Sequence, residues 1–302
     1  IRDSLERLQD NRIWFGPDGN GVPRIKRFLT DLKHEGMAPT SIMFFKDVGH
    51  SQEGAQEVSK LLDGGFFSGP KPQRLMQRLL TLANLKADSV VLDFFSGSAS
   101  TAHAVMSKNA EDGGHRKFIM VQLPEECDEQ SEAYKAGYKN ICEIGKERIR
   151  RAGDKIKSES PLTTQDLDIG FRVLKLDDTN MKDVYYAPDD YDQGMLAALE
   201  SNIKEDRTDL DLLFGCLLEW GLPLSMPYTS EEISGCTVHT YNDGDLIACF
   251  DENIPDEVVK TIAKRQPLRA VFRDSSFNGS PAKINVTEVF KLLAPDTRVK
   301  VI

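Results

Sequence analysis

The residues best suited to chemistry lie in one run, Asp93-Phe94-Phe95-Ser96-Gly97-Ser98-Ala99-Ser100-Thr101-Ala102, which follows the β-branched stretch Ser89-Val90-Val91-Leu92. Small residues at Gly97, Ser98 and Ala99 let a backbone pass close to a ligand, and a helix starting near Thr101 leaves free N–H groups facing it. An acid at the C-terminal end of a strand faces the crevice in which open α/β sheets bind their ligands. Asp93 is therefore suited to a ligand ammonium and the turn to a carboxylate, a pairing that fits an amino acid or a cofactor carrying one. Two other readings stand beside this one. A generic nucleotide turn is poorly matched, because only Gly97 of a Gly-x-Gly-x-x-Gly pattern is present. A purely structural strand-to-helix turn is the other.

The remaining candidate residues read as packing. His50 and His103 have no second histidine or acid at catalytic spacing, and Trp14 as an isolated Trp reads as core. Five cysteines (Cys127, Cys142, Cys216, Cys236, Cys249) form no Cys-x-x-Cys pair with a matching His or Cys partner, so reduced thiols in a cytoplasmic protein are expected and no metal site.

The elements that must position the turn follow from periodicity. Pro72 to Ala83 reads as a helix, with Pro72 at its first turn and Leu75, Met76, Leu79, Leu80 and Ala83 at helical spacing. A strand over Ser89 to Asp93, a helix from Thr101 and a second strand over Phe118 to Gln122 make a strand, turn, helix, strand unit, which predicts a parallel crossover. Tyr134 to Lys157 reads as one long helix whose basic end (Lys146, Arg148, Arg150, Arg151, Lys155, Lys157) suits the helix dipole and reads as solvated rather than DNA-binding. Beyond the polar stretch Ser158 to Gln165, Phe171 to Leu176 reads as a strand, Tyr185 to Tyr191 as an acidic aromatic loop and Leu210 to Trp220 as a helix. A second α/β unit follows, with strands at Leu246 to Phe250 and Leu268 to Phe272 around a helix at Asp256 to Lys264.

At 302 residues, 40% of them hydrophobic and 28% charged, the chain is long enough for about two domains. No apolar run approaches the ~18 residues of a membrane span. The first residues, Ile1-Arg2-Asp3-Ser4-Leu5, have neither an initiator Met nor a signal-peptide pattern, and the chain reads as a fragment of something longer. Its net charge of −10 is unevenly spread: residues 1–86 carry +3, residues 87–160 carry −2 and residues 161–302 carry −11. Phosphate binding needs local positive potential, so DNA contact is expected in the first third.

The run from Asp93 resembles the cofactor motif of amino-group DNA methyltransferases, Asp-x-Phe-x-Gly-Ser-Gly-Thr-Thr, with Ala99 and Ser100 in place of Gly and Thr. Upstream, Phe66-Phe67-Ser68-Gly69-Pro70-Lys71-Pro72 resembles the neighbouring Lys-Pro motif, in the order of the permuted β class. Further stretches resemble the modification subunits of type III restriction-modification systems: Arg12 to Gly16, Pro39 to Ser41, Gly49 to Gly54, Lys117 to Glu125, Glu147 to Ala152, Gly170 to Leu176, Leu246 to Asp251, Val271 to Ser275 and Val299 to Ile302.

The resemblance implies an α/β chain. Residues 1–62 would end a target-recognition or linker region, and residues 63–157 would be part of a Rossmann-like S-adenosylmethionine-binding core. Residues 158–302 would form a smaller α/β assembly domain. It implies cofactor contacts by Lys71, Pro72, Asp93, Phe95, Gly97, Ser98, Ser100, Thr101 and Gln122, the last standing where many relatives carry an acid for the ribose hydroxyls. It further implies methyl transfer to adenine N6 in double-stranded DNA, a homodimer and a helicase-nuclease restriction subunit as partner. The Asp/Asn-Pro-Pro-Tyr/Phe motif that holds a flipped base is absent; Ser225-Met226-Pro227-Tyr228 and Pro188-Asp189-Asp190-Tyr191 do not match it. No catalytic residue is therefore assigned, the catalytic motif is expected upstream of Ile1, and the fragment alone is expected to be inactive. A non-catalytic module for dimerisation or nuclease docking and an NAD-dependent enzyme are the rival readings.

Overall fold

A computed structural model describes residues 2–31, 39–182, 202–277 and 279–302, which divide into two units, residues 1–171 and residues 172–302. The stretch Tyr185 to Tyr191 lies outside the described residues.

In the first unit α1 (Arg2–Gln9) leads into an antiparallel hairpin of β1 (Ile13–Trp14) and β2 (Arg24–Ile25). Their connection is the Gly-rich turn, closed by the N–H of Gly21 on the carbonyl of Phe15 at 2.6 Å. Trp14 is exposed here instead of serving as core, because strands of two residues bury little. Next come α2 (Phe45–Val48) and α3 (Ser51–Leu62). His50 caps α3, its Nδ1 accepting the N–H of Glu53 at 3.1 Å, which is a structural role.

The periodic segment after Pro72 forms α4 (Gln73–Leu82), with Pro72 at its N-cap. Two 2.7 Å bonds from Arg74 to Glu53 tie it to α3. The predicted strand, turn, helix, strand unit follows as β3 (Val90–Phe94), α5 (Ser100–Asp112) and β4 (Lys117–Val121). The strands pair in parallel from Val90 with Lys117 to Phe94 with Val121. Of the Rossmann-like sheet that was expected, the described residues supply these two strands. One face carries Val91, Phe118 and Met120 against Leu80, Ala104 and Val105 and against Ala102, Met106 and Ile149. The other face presents Val90, Leu92, Phe94, Ile119 and Val121 to solvent, with Leu92 58% and Phe94 62% exposed. Parallel sheets are ordinarily covered on both faces, and this one is covered on one.

Two helices replace the single one expected over Tyr134 to Lys157: α6 (Glu132–Lys135) and α7 (Ile141–Glu159). Gly137, at φ +99°, and Asn140 separate them, the Asn140 side chain accepting the N–H of Glu143 at 3.2 Å as a new N-cap. Apolar spacing carries across such a break without recording it.

The second unit is built on a five-stranded sheet. Following α8 (Asp209–Glu219) come β5 (Tyr228–Ile233), β6 (Cys236–Tyr241) and β7 (Leu246–Cys249), then α9 (Asp256–Lys264), β8 (Arg269–Phe272), α10 (Gly279–Leu293) and β9 (Arg298–Val301). The strands lie in sequence order, antiparallel from β5 to β7 and parallel from β7 to β9. One face packs Val238, Ile247, Cys249 and Phe272 against Val258 and Ile262 of α9 and Phe290 of α10. The opposite face packs Tyr241, Leu246, Ala248 and Val271 against Leu213 and Leu217 of α8. β7 is buried on both faces, as a continuous apolar run with β-branching predicts. Phe171 to Leu176, expected as a strand, has no strand pairing, because it joins the two units.

Candidate functional site

The turn from Phe95 to Ala99 sits between the end of β3 and the start of α5, and its backbone is bent at three places. Phe95, Gly97 and Ala99 have φ of +99°, +52° and +59°. Only Gly adopts such values without steric cost, so two of the three positions carry strain. The amides of Phe95 and Ser96 both donate to the carbonyl of Val121, at 2.9 and 3.1 Å, which pins the turn to the end of β4. The Phe95 ring is 71% exposed beside it.

The predicted residues come together in three linked sets. Thr101, buried, donates its hydroxyl hydrogen to Oδ2 of Asp93. Among the described residues no partner is recorded for Oδ1 of Asp93, which leaves that oxygen for a ligand donor. Gln122 accepts the N–H of Gly97 on Oε1 at 2.7 Å and donates to the carbonyl of Leu123 at 3.2 Å, which ties its amide to the turn. Ser100 donates to the carbonyl of Lys71 at 3.1 Å, which joins the Lys71-Pro72 segment to the start of α5. Lys71 itself is exposed and Pro72 buried.

That segment is held from behind. A Cβ at Gly54 of α3 would lie 2.2 Å from the carbonyl oxygen of Pro70, so only Gly allows this approach. Glu57, one turn along α3, accepts the N–H of Gln73 at 2.8 Å and so caps α4.

Sequence reasoning missed the deepest member of the site. Arg148, read as part of a solvated basic helix end, is 1% exposed. Its Nη1 donates to Oγ of Ser98 at 2.9 Å and to Oγ of Ser100 at 2.7 Å. Gly145, three residues earlier on α7, brings the helix close: a Cβ there would be 3.3 Å from the carbonyl oxygen of Gly97. Burial lowers the Arg148 guanidinium to about 10, with partial compensation from the charge of Glu57. Burial first, then the charges of Arg148 and Lys155, lowers His103 to about 3, which keeps it neutral. It is a buried packing residue, as expected, with no partner for Nδ1 among the described residues. The available signal was the three-residue step from Gly145 to Arg148, which puts both on one face of α7.

These features suit a ligand that carries both a carboxylate and an ammonium. No side chain caps α5, although its first residues are buried, while Asn140 caps α7 and Thr208 caps α8. Uncapped, buried amides over an unpaired guanidinium favour an anion. Asp93 supplies the opposite charge for an ammonium. Beside Gly97, Phe66, Phe67, Ser68, Glu125, Asp128 and Ile144 line a cavity of about 260 Å³.

Cys236, Cys249 and Asp251 bring potential metal-ligand atoms within 4.8 Å of one another in the second unit. Burial pushes the Cys249 thiol up to about 12 and raises Cys236 too, and Asp251 accepts the N–H of Thr237.

Residues 11–149 match the DNA methylase family. The chain is 38% identical over 165 residues to the Mod subunit of the type III restriction-modification enzyme StyLTI of Salmonella typhimurium, an alignment covering 55% of this chain and 24% of that protein. It is 29% identical over 258 residues to the EcoPI Mod subunit of Escherichia phage P1, covering 80% and 37%, and 27% identical over 303 residues to the EcoP15I Mod subunit of Escherichia coli, covering 97% and 43%. The chain thus spans less than half the length of each of these relatives. By these alignments the chain is similar to the modification methyltransferase subunits of type III restriction-modification enzymes, with the DNA methylase match confined to residues 11–149.

Proposed function

We propose that this chain is the S-adenosylmethionine-binding portion of a site-specific DNA adenine-N6 methyltransferase that works in a type III restriction-modification system. The observation that carries the reading is the turn at the end of β3, where Asp93 and the uncapped start of α5 offer opposite charges within one strained loop. Bound there, the cofactor supplies an electrophilic methyl group on a sulfonium. The chain's own residues bind and orient it: Asp93 takes the ammonium, the turn and α5 take the carboxylate, and the cavity walled by Phe66 and Phe67 takes the nucleoside. Lys71 and Pro72 fix the edge of the site through Ser100. Gln122 acts by holding Gly97.

The Asp-Pro-Pro-Tyr type of base-binding motif is not among these 302 residues, so the acceptors for the adenine amine come from polypeptide outside them, upstream in the permuted order. These residues by themselves bind cofactor without methylating DNA. The bare face of β3 and β4 is where helices of the rest of a Rossmann-like domain would pack, its further strands adding at the edges of the pair. DNA contact is assigned to the first third, with its surplus of positive charge, and protein contacts to the second unit. Those contacts are either with a second modification subunit or with the restriction subunit.

Calorimetric titration with S-adenosylhomocysteine tests the reading. Asp93→Ala should weaken binding by about 1.5–3 kcal/mol, the range for a hydrogen bond to a charged group. Undiminished affinity in a folded Asp93→Ala protein would sink the assignment.

A further inference from the structure

Arg148 presents a physical problem that the methyltransferase reading leaves open. A guanidinium held at 1% exposure costs several kcal/mol unless a carboxylate compensates it. Among the described residues no ion pair joins Arg148. The acid whose field reaches it, Glu57, is already bonded to the amide of Gln73. Its Nε is buried with no hydrogen-bond partner among the described residues. Two serine hydroxyls accept from Nη1, and one of these, Ser100, donates its own hydrogen to the backbone carbonyl of Lys71. The charge thus lies directly behind the turn and is answered there only by neutral oxygens.

We propose that Arg148 is the positioning counter-charge for the ligand's carboxylate, acting through the turn and the first amides of α5 rather than by direct contact. This rests on the reading of the turn as an S-adenosylmethionine site. Arg148 holds Ser98 and Ser100 on either side of Ala99, the helix N-cap, and so sets the direction of the α5 amides. Its unit charge adds to the positive end of the helix in a region that water does not screen. The buried charge has neutral oxygens as its partners, and a carboxylate at the turn would answer it. Arg148 therefore selects ligands that carry a carboxylate over otherwise identical ones that do not.

The test compares S-adenosylhomocysteine with its decarboxylated analogue, which keeps the nucleoside, the thioether and the ammonium and lacks only the carboxylate. Arg148→Gln keeps hydrogen bonding to the serines and removes the charge; Arg148→Lys keeps the charge and removes the fork. In calorimetry, Arg148→Gln should weaken S-adenosylhomocysteine by about 10- to 100-fold and leave the decarboxylated ligand within about twofold. Arg148→Lys should keep most of the preference for the carboxylate. Equal losses for both ligands in Arg148→Gln, or loss of the preference in Arg148→Lys, would overturn the proposal while leaving the cofactor site standing. Should Arg148→Gln not fold, Arg148→Lys decides. Wild-type protein that binds neither ligand removes the cofactor reading and the proposal with it.

Discussion

At the scale of single residues, the site is defined by positions that are costly on their own. Phe95 has φ of +99° with its ring exposed, so the fold gains little from the side chain and tolerates the backbone. Strain of this kind is worth about 1–3 kcal/mol, and a Gly at that position returns about 1 kcal/mol of backbone entropy to the unfolded chain. Phe95→Gly should therefore raise the unfolding free energy by about 1 kcal/mol in urea titration while weakening cofactor binding; a destabilised variant would show that the conformation is not strained. The turn from Asp93 through Gly97, Ser98 and Ala99 was legible in the sequence as a strand-to-helix turn because glycine, small residues and a strand-end acid are local signals, whereas Lys71, Pro72, Phe95 and Gln122 entered only through the family resemblance. Arg148 was not legible, because its neighbours on α7 (Lys146, Arg150, Arg151) are basic and solvated, and only tertiary packing by Gly145 separates it from them.

Elements were legible where an apolar period met a clear stop. Pro72 before α4, Pro255 before α9 and the buried run of β7 each fixed an element to within a residue or two. The division of α6 from α7 was hidden, since its cause is a cap and a left-handed glycine inside a continuous apolar pattern. Caps also give a stability prediction. At α8 Thr208 and Asp211 form a reciprocal capping box, with the Thr208 hydroxyl accepting the N–H of Asp211 at 3.3 Å and Asp211 accepting the Thr208 amide at 2.8 Å. Thr208→Ala should cost about 1 kcal/mol, measurable as a lower urea midpoint with unchanged slope. His239 strengthens the same helix start, its Nε2 lying 3.3 Å from Asp209 while Nδ1 pairs with Ser230 at 2.8 Å.

At the scale of the whole chain, the two units divide charge as well as structure. The second, residues 172–302, carries 14 Lys/Arg against 23 Asp/Glu, a balance of −9, on a five-stranded sheet with helices packed on both faces among the described residues. Duplex phosphates repel such a surface, whereas protein interfaces accept acidic rims. Deleting residues 172–302 from the full-length protein should therefore impair subunit assembly, read by sedimentation, more than it impairs S-adenosylhomocysteine binding. Normal assembly with loss of sequence-specific DNA binding at fixed salt would contradict this. The first unit is the opposite case. Its Phe95 to Ala99 turn is bonded to the end of β4 and backed by α7, while among the described residues β3 and β4 are covered on one face and leave the other apolar face open. Whatever covers that face has only to arrive there in space; nothing in the turn depends on which end of the gene encodes it. An architecture joined across such a seam can have its halves transposed during evolution without disturbing a single bond at Asp93 or Gly97, which makes the order of motifs along a chain of this kind a matter of genetic history rather than of mechanism.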